Sequence, residues 1–216
     1  MNTILTKTYP APPFCDREIL RYAGVKGDAD EQTLALLQQA KDEIKDKLSY
    51  KVCYCDLPVQ IVDDVCDFSA FSVRSKTLSN RLAGCKRAVV FAATLGVEMD
   101  RLLLKYGKIA PAKALFLQAI GAERIESLCN AFCADLPCAG ARFSPGYGDL
   151  PLQTQKDIFA LLDCERKIGL TLTDSLLMSP TKSVTAFVGL GRTMCETNEE
   201  KCRNCAKTDC AFRREK

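Results

Sequence analysis

Apolar and polar residues alternate with two different periods in the first half of the chain. Apolar residues return at helical spacing from Leu34 to Leu48, directly after Asp30, a favourable residue for a helix N-cap. A shorter helix is predicted over residues 16–22. From residue 50 to 73 the pattern changes to alternation and short apolar runs, which are typical of strands. The first half therefore predicts two helices followed by several short strands.

The second half contains the longest predicted helix and the most apolar run. Residues 88–93 are continuously apolar, as expected of a buried central strand. Pro111 suits the first turn of a helix over residues 111–135. The side chains of that helix predicted to face inward are Leu115, Phe116, Ala119, Ile120, Ile125, Leu128 and Phe132. A helix over residues 154–167 and a strand over 183–190 are predicted to follow.

The order of these elements indicates the fold class. Helices and strands follow one another without regular βαβ alternation, which favours α+β over α/β. We predict a single domain over residues 1–191, with a twisted antiparallel sheet and flanking helices. Residues 192–216 are predicted to form a separate Cys-rich, metal-binding tail.

Composition limits the function classes. A chain of 216 residues with 47% apolar residues can bury one substantial core. Its net charge of +3 is small and interspersed, which argues against nucleic acid as a partner. No apolar run approaches the roughly 18 residues of a membrane helix, and prolines interrupt the first 14 residues where a signal peptide needs an apolar core. We expect a cytoplasmic protein with no membrane partner.

Cysteine and histidine usage is unusual. Thirteen cysteines in a chain of this size, without an export signal, are expected to be reduced thiols rather than disulfides. Histidine is absent, so mechanisms that need an imidazole base or ligand are excluded within this chain. Any such group must come from a partner.

Four cysteines concentrate in the polar tail. Their spacing is Cys195-x6-Cys202-x2-Cys205-x4-Cys210, in a segment with almost no apolar residues to bury them. A Cys-x2-Cys pair binds one metal ion or cluster from a single turn, and two further thiolates complete a four-sulfur site. We predict a shared metal centre in which a [4Fe-4S] cluster is slightly favoured over zinc, with a disulfide-rich or disordered tail as the alternative.

The stretch from Arg142 to Pro151 predicts a tight loop with binding chemistry. Its two glycines and two prolines exclude a helix, and Pro145 followed by Gly146 suits a turn in which Gly146 has a positive φ. Arg142 can bind a planar carboxylate through two parallel hydrogen bonds, and Tyr147 can place an aromatic ring beside a ligand. An ordinary surface turn between two elements is the alternative.

The loop and the segments after it resemble a known family. The resemblance rests on three motifs, which are Arg-x-x-Pro-Gly-Tyr at 142–147, Leu-Thr-Asp-Ser at 172–175 and Ser-Pro-x-x-Ser-Val at 179–184. Over about residues 111–190 the sequence resembles the activation domain of cobalamin-dependent methionine synthase. It departs from the family in having Ser144 where Ala is frequent and Gly148 where Pro is frequent, although both keep the turn small.

The resemblance implies a binding site for S-adenosylmethionine. Carried over residue by residue, Arg142 would bind the methionine carboxylate, Ser144 would contribute backbone contacts, and Gly146 would shape the turn. Tyr147 would face the methyl-transfer side as the residue closest to catalysis. Among the acidic residues of the preceding helix, Glu126 would support the sulfonium group or the ribose, and an ordinary exposed carboxylate paired with Arg124 or a lysine is the alternative.

The resemblance also implies a function and partners. The protein would be a free-standing accessory subunit that reactivates a cobalamin-dependent methionine synthase, or another corrinoid methyltransferase, by reductive methylation of cob(II)alamin to methylcobalamin. Cobalamin would be held by the partner, and flavodoxin or ferredoxin would donate the electron. The alternative is a corrinoid-protein-binding or electron-relay module that does not bind S-adenosylmethionine.

Overall fold

The computed structural model of the protein describes residues 3–191. Its strands are β1 (Leu5–Tyr9), β2 (Tyr50–Pro58), β3 (Gln60–Val62), β4 (Val65–Asp67), β5 (Ser72–Arg74), β6 (Arg87–Thr94), β7 (Thr171–Leu172), β8 (Met178–Ser179) and β9 (Ser183–Leu190). Its helices are α1 (Asp16–Tyr22), α2 (Glu31–Ile44), α3 (Lys76–Leu82), α4 (Glu98–Ile109), α5 (Pro111–Ala134), α6 (Thr154–Leu162) and α7 (Cys164–Ile168). None of these described helices is long and apolar enough to cross a bilayer.

The central sheet has four antiparallel strands in the order β1-β2-β6-β9. In its register Cys53 lies opposite Ala92, and Val90 lies opposite Phe187. Two smaller sheets are formed by β3-β4-β5 and by β7-β8. The β3–β4 hairpin turns at Asp63 and Asp64, both of which have a positive φ.

Both faces of the central sheet are buried. One face packs against α3, α6, α7 and the small β3-β4-β5 sheet, and it includes Cys53, Val90 and Phe187. The other face packs against the C-terminal half of α5 and includes Val52 and Phe91. Because apolar side chains cover both faces, β6 is a continuous apolar run rather than an alternating one.

Helix α5 connects the sheet to a helical layer. Its C-terminal half packs on the sheet through Ile125, Leu128 and Phe132. Its N-terminal half packs against α1, α2 and α4 through residues that include Phe116 and Ile120. One helix thus joins both parts of the core, and its middle turns are the region that faces the candidate site.

A buried ion pair fixes the N-terminal segment to α5. The side chains of Glu123 and Arg124 are 3% and 0% exposed, and they pair with each other. Arg124 also donates hydrogen bonds to the carbonyl oxygens of Pro12 and Pro13, and its guanidinium lies 4.4 Å from the ring centroid of Phe14. The proline-rich lead-in is therefore held through its backbone by a buried charge.

The predicted fold class is confirmed as α+β, with helices around an antiparallel sheet. Three details of the sequence interpretation are wrong. Leu34 and Leu115 are 46% and 51% exposed rather than inward. The helix predicted over 154–167 is divided into α6 and α7 by Asp163, which has a left-handed φ of 49°. Strand β1 was not predicted, because its exposed polar pattern carries no apolar signal. The predicted boundary between residues 191 and 192 stays a prediction.

Candidate functional site

A cleft of about 870 Å³ lies where the 142–147 loop meets α5, α6 and the start of β9. Its lining residues are Arg21, Tyr22, Arg81, Ala122, Ile125, Glu126, Arg142, Phe143, Ser144, Pro145, Tyr147, Gln155, Met178, Thr181, Lys182, Ser183, Val184 and Thr185. The size suits a ligand of nucleoside or cofactor dimensions.

The loop has the predicted tight turn. The Tyr147 amide donates to the Ser144 carbonyl at 3.3 Å, so these residues close a four-residue turn around Pro145 and Gly146. Gly146 has a φ of +86°, the conformation that a type II turn requires at its third position. The turn is closed further by the Gly146 amide, which donates to the Leu150 carbonyl at 2.9 Å. The residues of the turn and their backbone hydrogen bonds therefore give this wall of the cleft its shape.

Asp149 anchors the loop to the N-terminus of α3. Its carboxylate accepts hydrogen bonds from the Ser75 hydroxyl at 2.7 Å and from the amides of Lys76 and Thr77 at 2.7 and 3.1 Å. These bonds, chiefly those from Ser75 and Thr77, hold the pKa of the Asp149 carboxyl well below its usual range. No sequence signal had singled out this contact, because its partners lie more than 70 positions away.

Arg142 lies in the wall of the cleft with its side chain 11% exposed. It donates to the Glu126 carboxylate at 2.8 Å and to the Asn130 side-chain oxygen at 2.7 Å, both on α5. Burial opposes the charge of Arg142, whereas Cys129, Glu126 and Cys133 favour it, and the net result is a raised pKa of the guanidinium. The guanidinium also donates to the Cys133 sulfur at 3.9 Å. Arginine has five N–H donors, so these three bonds leave capacity for a ligand carboxylate.

The structure brings most of the predicted ligand residues together. Arg142, Ser144, Tyr147 and Glu126 all line the same cleft. Gly146 shapes the turn without lining the cleft, and Tyr147 projects outward with 68% of its surface exposed. Glu126 pairs with Arg142 rather than with Arg124, which is occupied by Glu123. The assigned roles of these residues stay predictions.

Lys182 contributes a cation that the sequence interpretation missed. Its aliphatic stem lies across Gly121 of α5, where a Cβ atom would come within 2.7 Å of the lysine Cε. Its ammonium donates to the Gln118 carbonyl at 3.2 Å. Burial lowers the pKa of Lys182, and the Asp100 carboxylate opposes that shift. The sequence signal that could have indicated this contact is Gly121, because a glycine inside a long helix often allows another group to pack closely.

Two buried oxygen atoms in the cleft wall have no hydrogen-bond partner among the described residues. They are Oε1 of Gln155 and Oγ1 of Thr185. Gln155 is 6% exposed and Thr185 is 2% exposed, and both line the cleft. Native proteins satisfy nearly all buried polar groups, so such atoms in a cleft wall point to a ligand.

The predicted metal ligands Cys195, Cys202, Cys205 and Cys210 lie outside the described residues. Within residues 3–191 no group of three or more potential metal ligands comes together. Cys53 and Cys164 are buried neighbours with their sulfur atoms 3.9 Å apart, and both pack in the core. The four-cysteine centre stays a prediction.

Comparison with known protein families finds a similarity that includes the loop of the cleft. Residues 113–207 match the model of the family described as vitamin B12 dependent methionine synthase, activation domain. The resemblance inferred from the sequence is thereby confirmed, and the matched region contains the whole 142–147 loop. No curated protein matches the chain.

A solved structure extends the likeness to nearly the whole chain. The crystal structure of the MetH reactivation domain bound to AdoHcy superimposes with a TM-score of 0.63 and 14% sequence identity. The alignment covers 94% of this chain and 84% of that one. At this identity the comparison shows a shared fold.

Proposed function

We propose that this protein binds S-adenosylmethionine in the cleft and reactivates a cobalamin-dependent methionine synthase. The observation that carries the proposal is the convergence of Arg142, Glu126, Ser144 and Tyr147 on one cleft, within the region matched by the activation-domain family. A similar fold binds AdoHcy, the product of methyl transfer from S-adenosylmethionine, in the MetH reactivation domain.

The cleft offers suitable chemistry for this ligand. Arg142 would bind the methionine carboxylate through its remaining donors, and the Glu126 carboxylate, which lies beside it, would support the sulfonium or the ribose. Ser144 would provide backbone contacts, and Gly146 keeps the turn tight. Tyr147 would lie next to the transferred methyl group, on the outer side where a partner can approach.

The reaction itself would take place on the cobalamin of the partner. One electron from flavodoxin or ferredoxin and one methyl cation from S-adenosylmethionine convert cob(II)alamin into methylcobalamin and leave S-adenosylhomocysteine. This chain would bind and orient the methyl donor and present it to the corrinoid protein, a positioning role. We also propose that this chain acts in the cytoplasm as a separate accessory subunit.

Arg142→Ala is expected to weaken S-adenosylmethionine binding about 30-fold or more, because the proposed charge-assisted hydrogen bonds between the Arg142 guanidinium, which is 11% exposed, and the ligand carboxylate would be lost. Arg142→Lys is expected to recover only part of the affinity, because a lysine lacks the planar fork. Isothermal titration calorimetry with the full chain measures both.

Arg166→Ala is the matched control, since the Arg166 side chain is 84% exposed and lies outside the cleft. It should bind like the wild type. Wild-type protein that binds no S-adenosylmethionine at millimolar ligand would refute the proposed function and favour the corrinoid-binding alternative. Equal binding by Arg142→Ala would refute the assignment of Arg142.

The four tail cysteines are expected to share one metal centre. Anaerobically purified protein should contain iron and sulfide with broad absorbance near 400 nm, or about one zinc per chain. Replacing Cys202 with Ser should lower the metal content, whereas replacing the exposed Cys15 should not. Elemental analysis that finds neither metal would remove this proposal and leave the cleft proposal standing.

A further inference from the structure

The outer edge of β9, on the side away from β6, is only partly covered by residues 3–191. Phe143 and Phe187 exchange two backbone hydrogen bonds of 3.0 and 2.9 Å, and the Gly140 amide donates to the Gly189 carbonyl at 2.9 Å. Residues 140–143 therefore cover the C-terminal half of this edge. On the inner side, β9 pairs with β6.

The covering segment leaves the edge at the tight turn. The next residue that would pair with β9 after Phe143 is Pro145, opposite Thr185, and proline has no amide hydrogen to donate. The chain turns away there through Gly146. Across residues 3–191, no backbone hydrogen bond is formed on this outer side by the Ser183 carbonyl or the Thr185 amide. A stretch of sheet edge that no part of residues 3–191 covers thus lies within the cleft wall.

Strand geometry fixes the direction of these backbone groups. Phe187 directs its amide and carbonyl outward, and residues two and four positions earlier on the same strand do the same. The Ser183 carbonyl and the Thr185 amide are therefore adjacent on the outward side, as an acceptor beside a donor. The side-chain oxygens of Gln155 and Thr185 add two buried atoms in the same cleft wall, and neither has a hydrogen-bond partner in the described part of the chain.

We infer that this part of the cleft is a purine subsite that selects adenine through its amino edge. Adenine carries an N–H donor at N6 beside an acceptor at N1, which complements the carbonyl of Ser183 and the amide of Thr185. The remaining N6 hydrogen can be donated to Gln155 Oε1, and the Thr185 hydroxyl can donate to a ring nitrogen. This inference rests on the proposed function and deepens it, because it assigns the residues that distinguish the base of the ligand.

The two ends of the ligand would lie on different sides of the sheet edge. Gln155 and Thr185 belong to the side that packs α6, together with Phe143 and Phe187. Arg142 reaches the opposite side, where its partners Glu126 and Asn130 lie on α5. A ligand with a base at one end and an amino-acid carboxylate at the other would span the uncovered edge between them.

The test compares two ligands that differ at one position of the base. S-adenosylhomocysteine keeps the amino group, whereas S-inosylhomocysteine has an oxo group at C6 and a hydrogen on N1, which reverses both hydrogen bonds. Calorimetry with the wild-type full chain is expected to show at least about 30-fold weaker binding of the inosyl ligand, because buried groups would be left unpaired.

Two near-isosteric variants test the side chains. Gln155→Leu and Thr185→Val are each expected to weaken S-adenosylhomocysteine about 10-fold and to reduce the preference for it over the inosyl ligand. Both should fold with an unchanged or higher Tm, since each removes a buried oxygen without a partner. Gln153→Leu and Thr8→Val are matched controls at exposed positions and should bind like the wild type.

The outcomes separate this inference from the proposed function. Equal affinity of the wild type for both ligands, with the Arg142 dependence intact, would overturn the purine subsite alone. Unchanged binding by Gln155→Leu and Thr185→Val would overturn the role of these side chains. No binding of either ligand to the wild type would overturn both the subsite and the proposed function.

Discussion

Adding the full chain, S-adenosylmethionine and a low-potential reductant to a cob(II)alamin methionine synthase is expected to produce the spectrum of methylcobalamin. Omitting any one component should abolish the change, because the electron, the methyl group and the protein that positions it are all required. Absorbance spectroscopy of the corrinoid measures the conversion. The partner should be a methionine synthase without its own activation domain, so that the added chain supplies the activity.

Variants of Tyr147 show whether its ring takes part in this process. Tyr147→Phe should keep most of the rate, whereas Tyr147→Ala should slow it about 10-fold, because the contact surface next to the methyl group is lost. Leu104→Ala is a control at an exposed apolar position on α4, outside the cleft. Equal conversion with and without the protein, across several corrinoid partners, would refute the reactivation function. The protein would then share only its fold with the activation domain.

Arg124→Ala is expected to lower the free energy of unfolding by about 3 to 5 kcal/mol, because it leaves the buried Glu123 carboxylate without its cation. The carbonyls of Pro12 and Pro13 would lose donors at the same time. Urea denaturation followed by circular dichroism measures the loss.

Arg101→Ala provides the comparison, since Arg101 pairs with Glu98 on the surface with its side chain 67% exposed. Exposed ion pairs contribute about 0 to 1 kcal/mol to the free energy of unfolding, so Arg101→Ala should cost no more than that. The double variant Glu123→Gln and Arg124→Met should be more stable than Arg124→Ala, because no uncompensated charge remains. A loss for Arg124→Ala no larger than for Arg101→Ala would show that the pair does not stabilise the fold.

Local patterns predicted most of the elements. Asp30 accepts a hydrogen bond from the Thr33 amide as an N-cap should, and α5 begins at Pro111 as its sequence indicates. The division of α6 from α7 was not predicted, because the apolar pattern continues across Asp163 and does not indicate its left-handed φ of 49°. The edge strand β1 was missed for a related reason, since it is defined by pairing with β2 and not by its own side chains.

Only the site residues in one continuous motif, and in the helix that precedes it, could be predicted. Arg142, Ser144, Tyr147 and Glu126 were recognised from a local motif and its neighbouring helix, and they meet in the cleft. The contacts of Asp149 with α3 join distant segments and leave no local pattern. Gln155 and Thr185 are common polar residues in sequence, and only their burial without partners distinguishes them.

The anchoring of Asp149 has a kinetic consequence. Because three donors at the start of α3 hold the loop, it has its shape before any ligand arrives. Association should therefore occur in a single step whose observed rate rises linearly with ligand concentration, without a plateau set by slow loop ordering. Release of the loop would instead be seen as faster deuterium uptake at the amides of Lys76 and Thr77.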